Sequence, residues 1–377
     1  MESRVDSLRM PSLHLGPMSR NVIAASVDYA KEHSWPICLI ASRRQIDSEE
    51  IGGGYVNGLT TEKFAQGLRQ AVKEGQIILA RDHGGPYQRS EESLLSLPDA
   101  MDRVERSLLT DIYAGFNVLH IDPEKCVEPG NPNGLKVFTE LTCDLIGRCN
   151  RILAGMPKRR SNIRFEVGTD EGVAMEFTPE QWEEFLGDVK AFCSAEACLM
   201  PISLSVPLGT KVKETQNVGG LALDKHNPFW IKRIQSMLEV ADRFDIKLKL
   251  HNVDYISMDV LKLYRKMGVS QFNVAPELGV IETRALLHFL RSIRMDKFAD
   301  AFMEIAYKSR KWERWMLSDS KADDEQRAII AGHYVFFSPE YLSLLEEIRT
   351  YPAANNLDAY LIAAISKSIK SYHTTLE

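Results

Sequence analysis

Eight short apolar runs, each followed by a longer stretch of helical periodicity, constrain this chain more than any other feature. The runs are Pro11–Gly16, Pro36–Ser42, Gln76–His83, Phe116–Asp122, Ile163–Gly168, Pro201–Pro207, Lys247–Asn252 and Gln271–Ala275. Several are near-continuous Val, Ile and Leu, the pattern of strands buried on both faces. Between them, Phe64, Leu68 and Val72 recur at i, i+4 and i+8 within Thr61–Glu74, which predicts a helix. Thr178, followed by Pro179 and with Gln181 three residues on, predicts a helix start closed by a capping box. Strand–helix alternation repeated eight times predicts a parallel sheet closed into a (β/α)8 TIM barrel rather than an open sheet.

From about Asp296 the strands stop. Lys297–Trp315, Ala322–Ala331, Pro339–Arg349 and Leu357–Tyr372 read as helices alone. The expected organisation is a barrel over residues 1–295 and a helical extension over residues 296–377 packed on it. The Gly52-Gly53-Gly54 run lacks the G-x-G-x-x-G spacing of a phosphate turn and is expected to be a flexible loop.

Composition narrows the function classes. A net charge of −6 without any block of five or six like charges argues against nucleic acid as a partner. No apolar segment is long enough for a membrane span or a signal peptide. The six cysteines form no C-x-x-C pair and read as free thiols in a reducing compartment. A cytoplasmic protein is expected.

In a barrel of this class, functional side chains collect at the carboxyl ends of strands. That rule selects Asp82 and His83 at the end of the third run, Asp122 at the end of the fourth, and Glu166 on the fifth. It also selects His251 and Asn252 at the end of the seventh with Asp254 just beyond, and Asn273 on the eighth. His83, His251 and a carboxylate, Glu166, form a ligand set suited to a divalent metal, zinc by preference. Asp82 would then be the acid/base group beside the metal, with Glu166 and Asp122 as further catalytic carboxylates. Gln45, Glu171, Asn252, Asp254, Asn273 and Lys211 are expected to bind substrate. Lys211 and Lys213 after the sixth run, and Arg43 and Arg44 after the second, are candidates for holding a phosphate. His120 reads instead as a buried, satisfied histidine. Lys249 should lie one layer below His251 on the same strand face.

The ordered segments SLHLGPMSRNVIAAS, ASRRQID, ARDHGGP, HID, EVGTDEG, HNVDY and NVAPELG resemble the non-catalytic (Z) subunit family of class II tagatose-bisphosphate aldolases. The order is kept over residues 9 to 290. The resemblance implies a class II aldolase-like barrel in which the aspartate of the D-H pair is the acid/base group and its histidine a metal ligand. These map onto Asp82 and His83, and the histidine ending the seventh strand maps onto His251. Catalytic class II aldolases take their remaining ligand from a strand-six histidine. Here that strand reads SLSVPLGT, so Glu166 is the expected substitute. Arg81 and Gly84, and a tail reading GHYVFFSPEY, also depart from the family pattern. Two functions follow. One is a metal-assisted aldolase or epimerase acting on a sugar or sugar phosphate. The other is a non-catalytic partner of a catalytic aldolase subunit, and an oligomer is expected in either case.

Overall fold

The computed structural model describes residues 10–73, 75–170, 172 and 177–377. The eight runs form eight parallel strands: β1 (Leu13–Leu15), β2 (Ile37–Ser42), β3 (Ile77–Asp82), β4 (Val118–Ile121), β5 (Arg164–Gly168), β6 (Pro201–Ser205), β7 (Lys247–Leu250) and β8 (Gln271–Val274). Each pairs with its sequence neighbours and β8 returns to β1, which closes the barrel.

The period-2 alternation of the strands sorts their side chains into two sets. Leu39, Leu79, Leu119, Phe165, Leu204, Leu248 and Phe272 join the large core under the surrounding helices. Their neighbours Cys38, Ile40, Ile78, Ala80 and Val118 form a separate cluster of the opposite parity, inside the barrel. Continuing that inner parity toward the carboxyl ends reaches Asp82 on β3, His120 and Asp122 on and after β4, Glu166 on β5, Ser203 and Ser205 on β6, Lys249 and His251 on and after β7, and Asn273 on β8. The barrel is therefore plugged by apolar residues on one side and opens into polar ones.

The helices after each strand are α1 (Arg20–His33), α2 (Thr61–Ala71), α3 (Leu97–Ala114), α4 (Gly134–Ala154), α5 (Pro179–Ala195), α6 (Pro228–Arg243), α7 (Met258–Met267) and α8 (Pro276–Ser292). The predicted capping box is present: Thr178 accepts from Gln181 N, and Gln181 returns the bond to the Thr178 backbone. Helix α2 ends at Ala71, because Val72 turns to extended backbone.

Four further helices follow: α9 (Asp296–Lys308), α10 (Asp324–Ala331), α11 (Pro339–Arg349) and α12 (Leu357–Leu376). The single helix predicted over Lys297–Trp315 is broken. It stops at Lys308, Arg310 adopts φ +56°, and a short 3-10 turn covers Glu313–Trp315. Phe298 and Phe302 of α9, Tyr341 of α11 and Leu361 of α12 share a second core with Leu286 and Leu290 of α8. Ile365, Ile369 and Tyr372 of α12 enter the barrel's own core. No helix among the described residues is long and apolar enough to cross a membrane, and all six cysteines are unpaired.

Candidate functional site

The polar end of the barrel is a cavity of about 720 Å³, a size that suits a small molecule. Asp82, His83, His251, Asn252, Asp254, Asn273 and Gln45 line it. Three imidazoles stand at mutual centroid distances of 5.5, 5.5 and 5.6 Å: His83 and His251, which line the cavity, and the fully buried His120 beneath them.

His83 breaks the strand parity and still reaches the mouth because its backbone turns to φ +44°. Its Nδ1 lies 2.6 Å from Asp122 Oδ2, while its Nε2 faces Asp82 at 3.8 Å and Asp170 at 4.0 Å. His120 is held the same way. Its Nε2 lies 2.9 Å from the Gly168 carbonyl, and its Nδ1 faces Asp82 at 3.5 Å and Glu166 at 3.6 Å. His120 Nδ1 also accepts from the His83 backbone N–H at 3.2 Å. His251 is 2 % exposed, with Nδ1 3.3 Å from Asp170 and Nε2 3.5 Å from Glu166. In His83, then, one nitrogen is fixed by an acceptor behind it and the other turns to the carboxylates, which is how proteins orient metal-binding histidines; in His120 Nε2 is fixed likewise, while Nδ1 takes the His83 N–H.

The adjoining glycines permit this packing. A Cβ on Gly84 would lie 2.4 Å from the His120 carbonyl oxygen, and one on Gly85 1.7 Å from that of Asp122. The departures around D-H thus have a structural account. Arg81 is fully buried and braces the strand ends through Asp111 and the carbonyls of Ala41 and Ile46.

Electrostatics favour the charged forms of Asp82, His83 and Glu166. Burial pushes the Asp82 carboxyl up, yet His83, His251 and His120 together bring it well below its ordinary range. Burial would lower His83, but Asp82, Asp122 and Asp170 raise it well above the usual imidazole value. Beneath them Lys249 Nζ is 2.9 Å from each oxygen of Glu166, with both side chains buried. Burial opposes ionisation of Glu166, and Lys249 and His120 outweigh it, so its pKa falls.

The donor set fits a divalent ion. Imidazoles sharing a tetrahedral ion at about 2.0–2.1 Å from nitrogen have centroids roughly 5 Å apart, close to the triangle observed. Asp82 Oδ1 and His251 Nε2 are buried without a hydrogen-bond partner among the described residues. Ligand atoms of Asp82, His83 and His120, of His83, Asp170 and His251, and of His120, Glu166 and His251 lie within 4.8 Å of one another in each set.

The remaining sequence candidates are placed differently. Glu166 is engaged by Lys249, so it sits behind the histidines rather than beside His83 in the cavity. Asp122 touches His83 and receives the Glu124 N–H; it does not line the cavity. Asp254 caps α8 by accepting from Ala275 N and Glu277 N, both at 2.9 Å. Burial and then Glu277 push its pKa up to about 7. Asn252 donates to Asp170. Gln45 accepts from Ser42 N at 2.9 Å. Glu171 lies outside the described residues. Lys211 does not line the cavity; its backbone N–H goes to Asn217, within a hairpin of Val212–Lys213 and Gln216–Asn217. Arg43 is fully buried between Asp47 and Glu92, whereas Arg44 lines the cavity beside Gly52, Gly53 and Gly54. His120, Lys249 and Asp170 are the members that sequence reasoning left out of the site. The inner-face parity shared by His120, Asp122, Lys249 and His251 was the available signal for the first two.

No protein-family model and no curated protein matches this sequence. Solved structures share its fold. A probable tagatose 6-phosphate kinase from Sinorhizobium meliloti superposes with a TM-score of 0.72 at 18% identity, over 97% of this chain and 100% of that one. The fructuronate-tagaturonate epimerase of Cohnella laeviribosi gives 0.60 at 12% identity, over 97% and 81%. The fructose-bisphosphate aldolase of Campylobacter jejuni gives 0.56 at 12% identity, over 97% and 89%. At these identities the likeness is one of fold.

Proposed function

We propose that this chain is a divergent class II aldolase-like enzyme that cleaves or epimerises a ketose or ketose phosphate. The observation that carries the reading is the triangle of His83, His120 and His251 around Asp82 at the carboxyl end of the barrel. The ordered motifs and the fold shared with an aldolase and a sugar epimerase support it.

His83, His120 and His251, with Asp82 beside them, would hold a divalent ion, zinc by preference. When bound, such an ion supplies Lewis acidity toward a carbonyl oxygen and favours an enediolate. The other tasks fall to the chain itself. Asp82, kept ionised by the surrounding imidazoles, takes and returns the proton of the substrate hydroxyl next to the bond that breaks. Asp122 orients His83. Lys249 neutralises Glu166, so the carboxylate under the histidines stays charged without water. Asn273, Gln45 and Asn252 offer hydrogen bonds to the sugar hydroxyls. Retro-aldol cleavage, and epimerisation by cleavage and re-addition, require the same groups.

The alternative is a non-catalytic subunit that stabilises a catalytic tagatose-bisphosphate aldolase. Its support is β6, which presents Ser203 and Ser205 where catalytic class II aldolases carry a histidine. One experiment separates the two. Metal content of the purified chain is measured by mass spectrometry, alongside His83→Ala, His120→Ala and His251→Ala, with aldolase and epimerase assays on a ketose-phosphate panel. The enzyme reading expects about one equivalent of metal, lost in all three variants together with turnover. Metal-free protein, active only when a catalytic aldolase chain is added, would overturn it.

A further inference from the structure

Strand β7 ends at Leu250, so three residues that line the cavity, His251, Asn252 and Asp254, stand on backbone that has left the strand. That backbone turns sharply. Asn252 adopts φ +56° and Tyr255 φ +59°. Asparagine takes this left-handed conformation readily, whereas a bulky residue such as tyrosine keeps it only where the surroundings fix it.

The hairpin after β6, formed by Val212–Lys213 and Gln216–Asn217, holds this segment. Thr210 Oγ1 donates to the His251 carbonyl at 2.7 Å. Asn217 Nδ2 donates to the Asn252 carbonyl at 2.8 Å and to the Asp254 carbonyl at 3.0 Å. Asn217 Oδ1 accepts from Lys211 N at 3.2 Å and from Gly219 N at 3.1 Å. A primary amide has two N–H donors and two acceptor lone pairs, and the buried Asn217 uses all four on backbone groups. The opposite orientation of the amide would set its oxygen against two carbonyls.

The hairpin is itself anchored to the tail. The Glu214 backbone N–H donates to the Trp315 carbonyl at 2.8 Å, Lys213 Nζ to the Arg314 carbonyl at 2.9 Å, and Leu317 N to Glu214 Oε1 at 3.4 Å. The tail braces the hairpin, and the hairpin braces the end of β7. The barrel does not need this brace, because β7 pairs with β6 and β8 over its own length. The site does. His251 Nδ1 lies 3.3 Å from Asp170 Oδ1, and Asn252 donates to the other oxygen of the same carboxylate. A shift of the backbone at residues 251–252 would displace the imidazole and its carboxylate together.

We infer that Asn217, assisted by Thr210, is a positioning residue that sets the direction of the His251 imidazole and the Asn252 amide in the cavity. The inference rests on reading this end of the barrel as a catalytic site built on His251.

Ring geometry can be read without turnover. Histidine-selective 15N labelling gives imidazole spectra of the metal-free protein, with the His251 signals assigned by their loss in His251→Gln. Zinc affinity by chelator competition and thermal melting accompany them, for Asn217→Ala, Asn217→Asp and Thr210→Val. Gln216→Ala, exposed on the same hairpin, is the control. Both Asn217 variants should shift the His251 signals, leave those of His33, His288 and His373 in place, and weaken zinc binding about 10–100-fold. Thr210→Val should move the same signals by less, and Gln216→Ala should change neither spectrum nor affinity. Unmoved His251 signals in Asn217→Ala and Thr210→Val would overturn the inference. So would shifts spread over all the histidines with a lowered melting temperature, which mark general loosening. Should Asn217→Ala fail to fold, Thr210→Val decides by the same spectra. A wild type that binds no zinc would count against the catalytic reading, while the imidazole spectra would still decide the role of Asn217.

Discussion

Replacing Lys249 by Met tests the electrostatic floor of the site. In the wild type the Lys249 ammonium touches both Glu166 oxygens at 2.9 Å and neither side chain is solvated. Removing one partner of such a pair leaves an uncompensated buried charge, at a cost of about 3–5 kcal/mol. An unfolding entropy of about 2.1 cal/mol/K per residue over 377 residues comes to roughly 0.8 kcal/mol/K, so the melting temperature should fall by about 4–6 °C near neutral pH. The pH dependence gives the sharper signature. The depressed pKa of Glu166 means that wild type gains stability from this group above the unfolded carboxylate range, and loses it as pH falls through the folded value. Without Lys249, burial raises the Glu166 pKa, so the variant's deficit should shrink toward pH 4–5, where the carboxyl can protonate, and widen toward pH 7.5. The double variant Lys249→Met/Glu166→Gln should recover most of the loss. Differential scanning calorimetry at pH 5 and pH 7.5 reads all three. Equal melting points for Lys249→Met and wild type at pH 7.5, or a deficit independent of pH, would refute the compensated pair.

Two further outcomes follow from single contacts. Asp122→Asn keeps a side chain against His83 but removes the charge that orients it; metal affinity should drop about 10–100-fold at near-constant melting temperature, read by chelator competition. Glu282, buried against Ser19 and Asn21, has its pKa pushed up to about 7 by burial. Its folded state holds a proton that the unfolded state releases, so wild-type stability should fall as pH rises from about 4.5 to 7, by roughly 3 kcal/mol in total. Glu282→Gln should remove that decline and melt higher than wild type at pH 8; parallel pH profiles for the two proteins would show the carboxyl to be ordinary.

The barrel was legible because its signal is distributed: eight runs and their helical partners each repeat the same message, and an error of a residue or two at any end leaves the topology intact. Details set by one backbone torsion were not legible. The break after Lys308 depends on Arg310 adopting φ +56°, and nothing in the helical period of Lys297–Trp315 announces it. Yet that break makes the turn that carries Arg314 and Trp315 to the cavity. The fate of the basic loops was hidden for a related reason. Arg43 and Arg44 are neighbours in sequence, but alternate sides of the chain send one into a buried pair with Glu92 and the other to the cavity wall.

His120 shows where motif reasoning reaches its limit. Judged alone, a histidine inside an apolar strand is a core residue, and the absence of a histidine on β6 seems to remove the third ligand. In a closed barrel both judgements miss the geometry. All eight strands project their inner residues toward one axis, so the strand that supplies a ligand can change while the ligand's position in space hardly does. The registers place His120 beside Glu166, and Glu166 beside Ser203. His120 therefore sits two strands away from the expected source and only 5.6 Å, ring to ring, from His251. The serines of β6 leave room on that side, while the imidazole of β4 closes the triangle from the other. A missing strand-six histidine is thus weak evidence against a metal centre in this fold, and the inner-face parity of every strand is the stronger guide to it.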